Sequence, residues 1–103
     1  MEQDIRRQIK YIADAYGYES QSRQCIEEMA ELTQAINKLW RKQQWGTGME
    51  MLEARFDVLE EIADVKIMIE QMEYLLDGIG DIEPKMRRKL YRQIKRIERE
   101  LAE

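Results

Sequence analysis

Apolar residues recur every three or four positions along most of this chain, which is the period of an α-helix with one buried face. The first run predicts a helix over roughly residues 2–16, and Gly17 supplies a residue that commonly ends helices. A second helix is predicted from about Ser20 to Gln43, where the glycine-containing turn "QWGTG" follows. The apolar face of this second helix consists of Cys25, Met29, Leu32, Ile36 and Leu39.

Two further helices are predicted in the second half of the chain. The third runs from about Met49 to Leu76 and ends at "DGIGD", and the fourth begins near Pro84, because proline suits the first position of a helix. The fourth helix carries an apolar stripe formed by Met86, Leu90, Ile94, Ile97 and Leu101. Four helices joined by short turns predict an all-α four-helix bundle, and 103 residues are enough for a single domain over residues 1–103.

Composition narrows the chemistry that such a bundle can support. The chain has no histidine, which excludes histidine bases, Cys/His zinc sites and the Glu-x-x-His pairs of ferritin-like di-iron bundles. Its single cysteine, Cys25, lies among apolar neighbours and is expected to be a buried structural thiol. A metal in this protein would therefore be a hard cation held by oxygen ligands.

Charge and hydropathy bear on partners and location. A net charge of -4 does not suggest a nucleic-acid or membrane-surface partner. The opening segment "MEQDIRRQIKYI" lacks the apolar region of a signal peptide, and no apolar stretch approaches the ~20 residues that span a bilayer. We therefore expect a cytoplasmic protein.

Acidic residues occupy positions where hydrocarbon is expected. The segment "IEEMAEL" at residues 26–32 has the same order of acidic and apolar residues as "LEEIADV" at residues 59–65. On a helical wheel Glu28 lies within the apolar arc of the second helix, Glu31 follows one turn later on the same side, and Glu27 turns towards solvent. The core face predicted for the third helix is Val58, Ile62, Val65, Ile69, Met72 and Leu76. Glu61 lies inside that arc and Asp64 lies at its edge.

Burial of these acids requires a partner. An unpaired buried carboxylate costs several kcal/mol or becomes neutral, so a divalent cation is the simplest partner for two pairs on facing helices. Oxygen-only ligation favours Mg²⁺, with Mn²⁺ also possible, and four carboxylates leave room for one or two ions. The alternative is that the acids are ordinary solvated surface, which is the commoner situation for a single such pair.

The motifs "EEMAE" at residues 27–31 and "EEIAD" at residues 60–64 resemble the Glu-Glu-x-x-Glu and Glu-x-x-Asp signature of the MazG-like, all-α nucleoside triphosphate pyrophosphohydrolases. The resemblance extends through "GYESQSRQCIEEMAELTQAINK" and "LEEIADVKIMIEQM", and so covers the second and third predicted helices, which together make up more than half of the chain. It implies a single MazG-like helical domain that hydrolyses a (d)NTP between the α and β phosphorus atoms. The metal ligands it implies are Glu28, Glu31, Glu61 and Asp64.

With no histidine available, a carboxylate must orient or deprotonate the attacking water, and Glu27 or Glu31 could do so. Basic residues of the last helix grip the triphosphate in similar proteins, which makes Lys89, Arg92 and Arg96 candidates, although a solvated face is the alternative. Lys38 and Arg41, near the end of the second helix, are further candidates. The aromatic residues contain no clear base-reading set, so the preferred nucleotide stays open.

A second apolar stripe on the third helix points to self-association. It consists of Phe56, Ala63, Ile67 and Tyr74 and lies away from the predicted core face. A helix that is apolar on two sides must bury both, and MazG-like proteins are typically dimers or pairs of dimers, so a homodimer or homotetramer is expected. A different class of function also fits these patterns: a catalytically weak helical bundle that serves as a nucleotide sensor or a protein-interaction module.

Overall fold

The computed structural model describes residues 2–103 as three α-helices with no strand among them. Helix α1 spans Gln3–Trp45, α2 spans Gly48–Leu75 and α3 spans Ile79–Ala102. The all-α prediction is confirmed. The four-helix bundle is not confirmed, because only three helices are found in this part of the chain and α3 does not pack into a bundle.

Helix α1 is broken at Gly17, where the sequence predicted the end of a first helix. Gly17 has φ 83° and ψ 169°, a conformation that is essentially restricted to glycine, while its neighbours on both sides are helical. The two predicted helices therefore follow one another without a loop. The segment before Gly17 buries Ile9 and Ala13, and the segment after it buries Gln21 and Cys25.

A two-residue turn reverses the chain between α1 and α2. Thr47 caps α2: its hydroxyl accepts a hydrogen bond from the Glu50 backbone N–H at 3.1 Å. In return, the Glu50 carboxylate accepts the Thr47 backbone N–H at 3.0 Å, which completes a capping box. Lys42, near the end of α1, also pairs with Glu50 at 2.9 Å. The turn therefore closes the two helices into an antiparallel hairpin.

Polar contacts along the hairpin fix its register. Two of them lie in the half of the hairpin that is far from the turn: the Tyr74 hydroxyl donates to Asp14 at 2.8 Å, and the Gln21 side-chain amide donates to Gln71 at 2.8 Å. Tyr74 was predicted to lie on a far-side stripe of α2. That assignment is wrong, because Asp14 and Lys10 of α1 contact the Tyr74 ring and hydroxyl within the same chain.

The contact between α1 and α2 is a narrow seam rather than a broad core face. Positions spaced alternately by three and four residues face inward, as in a coiled coil. On α1 these buried or half-buried positions are Gln21, Cys25, Glu28, Leu32, Ala35 and Leu39, and on α2 they are Ala54, Val58, Glu61, Val65 and Met68. Two helices alone cover only such a strip, so several residues predicted for the core are exposed: Met29, Ile36, Ile62, Ile69 and Leu76.

Helix α3 leaves the hairpin instead of returning along it. It begins at Ile79, earlier than the predicted start at Pro84, after a turn in which Asp77 adopts φ 56°. No residue of α3 is buried, and its predicted apolar stripe is more than half exposed at every position. The Cα radius of gyration is 17.6 Å, compared with about 13 Å for a compact chain of this length. The stripe is present as predicted, but no other segment of residues 2–103 covers it.

The thiol of Cys25 is buried in the seam, as expected, and burial raises its pKa. Within residues 2–103 no helix combines the length and apolar character needed to cross a membrane.

Candidate metal centre

Three carboxylates from the two facing helices converge near the middle of the hairpin. Glu28 and Glu31 lie on successive turns of α1, and Glu61 lies across the seam on α2. One carboxylate oxygen from each of the three can be chosen so that all lie within 4.8 Å of one another. We call these three residues the acidic cluster. Its position follows from helix geometry, since side chains three residues apart share a face and the antiparallel register sets Glu61 opposite them.

Part of this cluster is buried without compensation. Glu28 and Glu61 are half-buried, and the Oε2 atoms of both are inaccessible to solvent with no hydrogen-bond partner. The other oxygen of Glu28, Oε1, accepts a hydrogen bond from the Gln24 side-chain amide at 2.9 Å. Buried carboxylate oxygens are normally paired, so two unpaired ones at one point in the seam call for a ligand.

The charges in the cluster oppose one another. The pKa of Glu31 is raised by the neighbouring charge of Glu28, then by that of Glu61 and by burial. The pKa of Glu61 is raised by burial first and then by the charges of Asp64 and Glu28. No ion pair found within residues 2–103 involves a member of the cluster. The site is therefore a concentration of negative charge without a basic partner.

These features fit a hard divalent cation. The donors are all carboxylate oxygens, they come from two facing helices, and two of the three carboxylates carry a buried oxygen without a partner. Mg²⁺ or Mn²⁺ suits such a donor set, whereas softer metals prefer nitrogen or sulfur ligands. The residues present would hold the ion through Glu28, Glu31 and Glu61.

The structure separates the other predicted acidic site residues from this cluster. Asp64 lies one turn beyond Glu61 and is close enough to raise its pKa, but it is exposed and its oxygens do not join the group of three. Glu27 is also exposed and outside the group. Of the two candidates for activating water, Glu31 is the one that belongs to the cluster.

A groove of about 360 Å³ opens beside the cluster. Glu31 and Glu61 form one part of its wall, and the predicted phosphate-binding residues Lys38 and Arg41 form another. The remaining lining residues are Gln34, Ala35, Asp57 and Glu60. The groove is thus lined both by carboxylates, which suit a cation, and by two basic side chains, which suit phosphate.

The candidate substrate residues of α3 lie elsewhere. Arg92 and Arg96 line a separate concavity on α3 together with Tyr91, Lys95 and Arg99, and Lys89 lines neither that concavity nor the groove. Helix α3 touches α2 only slightly, and no close backbone approach to α1 is found in the described chain. Within one copy of the chain, these three basic residues are not brought to the acidic cluster.

Two residues that the sequence reasoning missed adjoin the cluster. Gln24 hydrogen-bonds Glu28, and Asp57 lines the groove and contributes to the raised pKa of Glu61. Each lies four residues before the acid it affects, and residues at that spacing share a helix face. The spacing was therefore the available signal.

Comparison with protein families, with curated proteins and with solved structures found no match for this chain.

Proposed function

We propose that this protein is a Mg²⁺-dependent nucleoside triphosphate pyrophosphohydrolase that cleaves the α–β phosphate bond of a (d)NTP, giving a nucleoside monophosphate and pyrophosphate. The observation that carries the proposal is the convergence of Glu28, Glu31 and Glu61 within 4.8 Å, with two buried carboxylate oxygens that lack partners. The resemblance of the two acidic motifs to MazG-like proteins supplies the reaction type.

Each part of the site has a role in this reaction. A divalent cation bound by the cluster would supply charge neutralisation for the phosphate oxygens and for the departing pyrophosphate. Lys38 and Arg41, which follow Glu31 along α1 and line the same groove, bind phosphate oxygens. Glu31 is exposed, belongs to the cluster and lines the groove, so it can orient a water molecule and accept its proton. Asp64 joins the ligands only if it reorients.

Release of pyrophosphate from a panel of dNTPs and NTPs tests this proposal. Purified protein is incubated with each nucleotide in Mg²⁺ or Mn²⁺, and pyrophosphate, orthophosphate and nucleoside monophosphate are measured separately. We expect equal amounts of monophosphate and pyrophosphate, with no activity in EDTA. Release of orthophosphate instead would place the cleavage at another bond, and no release with any nucleotide would reject the enzyme.

A second function, a protein-interaction or nucleotide-sensing module, is favoured by one specific observation: the exposed apolar stripe of α3. The same panel separates the two. Nucleotide binding by calorimetry without turnover would support the sensor, and turnover would support the hydrolase.

We further propose that the stripe packs against a second copy of this chain. Helix α3 carries eight basic and four acidic residues, while the whole chain has a net charge of -4, so the hairpin is the acidic part. Opposite charges favour α3 of one copy against the hairpin of another, whose exposed apolar residues include Phe56 and Ile67. Such an assembly could bring Lys89, Arg92 or Arg96 near the partner's acidic cluster, and it would be a homodimer or homotetramer.

Substitution within the stripe tests the assembly. Ile94→Glu and Ile67→Glu each place a charge in the proposed interface and should shift the protein to monomer in analytical ultracentrifugation. Arg88→Gln is the control, because it changes the charge of α3 by the same one unit at an exposed position outside the stripe. A parent that is already monomeric at micromolar concentration would reject the assembly and leave the hydrolase proposal standing.

A further inference from the structure

Glu28, a member of the acidic cluster, accepts a hydrogen bond from a neutral side chain outside the cluster. Gln24 lies one helical turn before it, and its side-chain amide donates to Glu28 Oε1 at 2.9 Å in a part-buried setting. That contact leaves Glu28 Oε2 buried, unpartnered and available. From this geometry we infer that Gln24 is a positioning residue that holds Glu28 in the orientation required for cation binding; the inference rests on the metal site of the proposed function.

Repulsion within the cluster explains why a positioning residue is needed. Without a cation, rotating the three carboxylates apart lowers the free energy, because it separates like charges. The terminal torsion of a glutamate side chain has a broad, shallow energy profile that permits such rotation. The hydrogen bond from Gln24 opposes this rotation at Glu28. The site is thereby preorganised, so less ordering remains to be done when the cation binds.

The chemistry of the amide also suits this role. Gln24 donates a hydrogen bond without bringing a positive charge, so it fixes the carboxylate and does not replace the cation. A lysine or arginine at this position would form an ion pair with Glu28 and compete for the same oxygens. An apolar residue would leave Glu28 free to turn.

The test is Mn²⁺ affinity measured by isothermal titration calorimetry on the full chain, without nucleotide. Gln24→Ala, which keeps high helix propensity, and Gln24→Met, which keeps the side-chain length, should each weaken Mn²⁺ binding by about 10- to 100-fold. Gln43→Ala is the matched control, because Gln43 is an exposed glutamine of the same helix. The metal-free melting temperature of all three variants should stay close to that of the parent.

A double-mutant cycle with Glu28→Gln then asks whether Gln24 acts through Glu28. In that background, Gln24→Ala should cause less than about a twofold further loss of Mn²⁺ affinity. Full additivity, or parental affinity in both Gln24 variants, overturns the positioning role while the metal site stands. A fall in metal-free stability that accounts for the lost affinity also overturns it, as a purely structural effect. A parent that binds no Mn²⁺ rejects the metal site itself and the role of Gln24 with it.

Discussion

The seam between α1 and α2 contains two sets of polar side chains, which differ in whether their buried polar atoms have hydrogen-bond partners. The Gln21–Gln71 pair is buried, with relative exposures of 7% and 1%, and the two amides hydrogen-bond each other. The acidic cluster lies about two helical turns nearer the hairpin turn, and there two buried oxygens have no partner. A buried polar group that satisfies itself serves the fold, whereas one that remains unsatisfied points to a ligand.

The largest effect should come from Glu61→Gln. This change removes one charge and one cation ligand but keeps the side-chain shape, so pyrophosphate release should fall by a factor on the order of 100 to 1,000. The metal-free melting temperature should stay level or rise, because a repelling charge is gone. Glu53→Gln, at an exposed position of α2, serves as the control and should retain activity. If Glu61→Gln unfolds without metal while the parent does not, Glu61 has a structural role like that of the Gln21–Gln71 pair.

Gln71→Leu tests the structural role of the Gln21–Gln71 pair. It should reduce the free energy of unfolding by about 1–3 kcal/mol, since the Gln21 amide is left buried without its partner. The double change Gln21→Leu and Gln71→Leu should recover most of that loss, because no polar group then remains unpaired. Urea titration monitored by circular dichroism measures both. A double variant that is no more stable than the single one would contradict the comparison.

Thr47→Ala should have a smaller effect of about 1 kcal/mol, because it removes the side-chain acceptor of the Glu50 backbone N–H at the start of α2. Thr33→Ala provides a matched control. The Thr33 hydroxyl donates to the Met29 carbonyl in the middle of α1, where alanine is the better helix former, so that change should be neutral or slightly stabilising. Equal losses in the two variants would show that the cap at Thr47 has no special role.

The pH dependence of metal-free stability should show the smallest effect, with opposite signs at two places. The raised pKa values of Glu31 and Glu61 mean that their mutual repulsion is absent below the ordinary value of 4.5 and grows as pH rises through the folded-state values. Glu50 has a pKa lowered to about 2 by the Thr47 N–H and Lys42, so its contribution is lost as pH falls from 4.5 towards 2. Thermal melts in EDTA should therefore show stability declining slightly above 4.5, and Glu61→Gln should flatten that decline. A parental profile that keeps rising there would contradict the assigned repulsion.

The sequence predicted the positions of Glu28 and Glu61 better than the burial of the apolar residues around them. Glu28 and Glu61 fall at seam positions whatever the exact width of the buried arc, so the wheel placed them correctly. Met29 and Ile62 lie at the margins of that arc, and whether they are buried depends on a third layer that the hairpin does not have. The wheel placed Asp64 at the edge of the arc, and the structure leaves it exposed and outside the cluster.

Helix α3 shows a different limit. Its start and its apolar stripe could be read approximately from spacing, but its direction is set by the turn at Asp77 and by whatever covers the stripe. The periodicity of apolar residues in a single chain specifies neither the geometry of that turn nor the surface that covers the stripe. The placement of the basic residues of α3 relative to the acidic cluster could not be predicted for the same reason.

The isolation of α3 also determines how its backbone amides exchange with solvent. A helix of 24 residues that buries no side chain is stabilised mainly by its own hydrogen bonds, so it opens at little cost in free energy. Its amide hydrogens will exchange with deuterium far sooner than those of the hairpin seam. Association through the stripe would slow amide exchange selectively in α3. The exchange rate of this helix, measured at several protein concentrations, therefore reports on self-association.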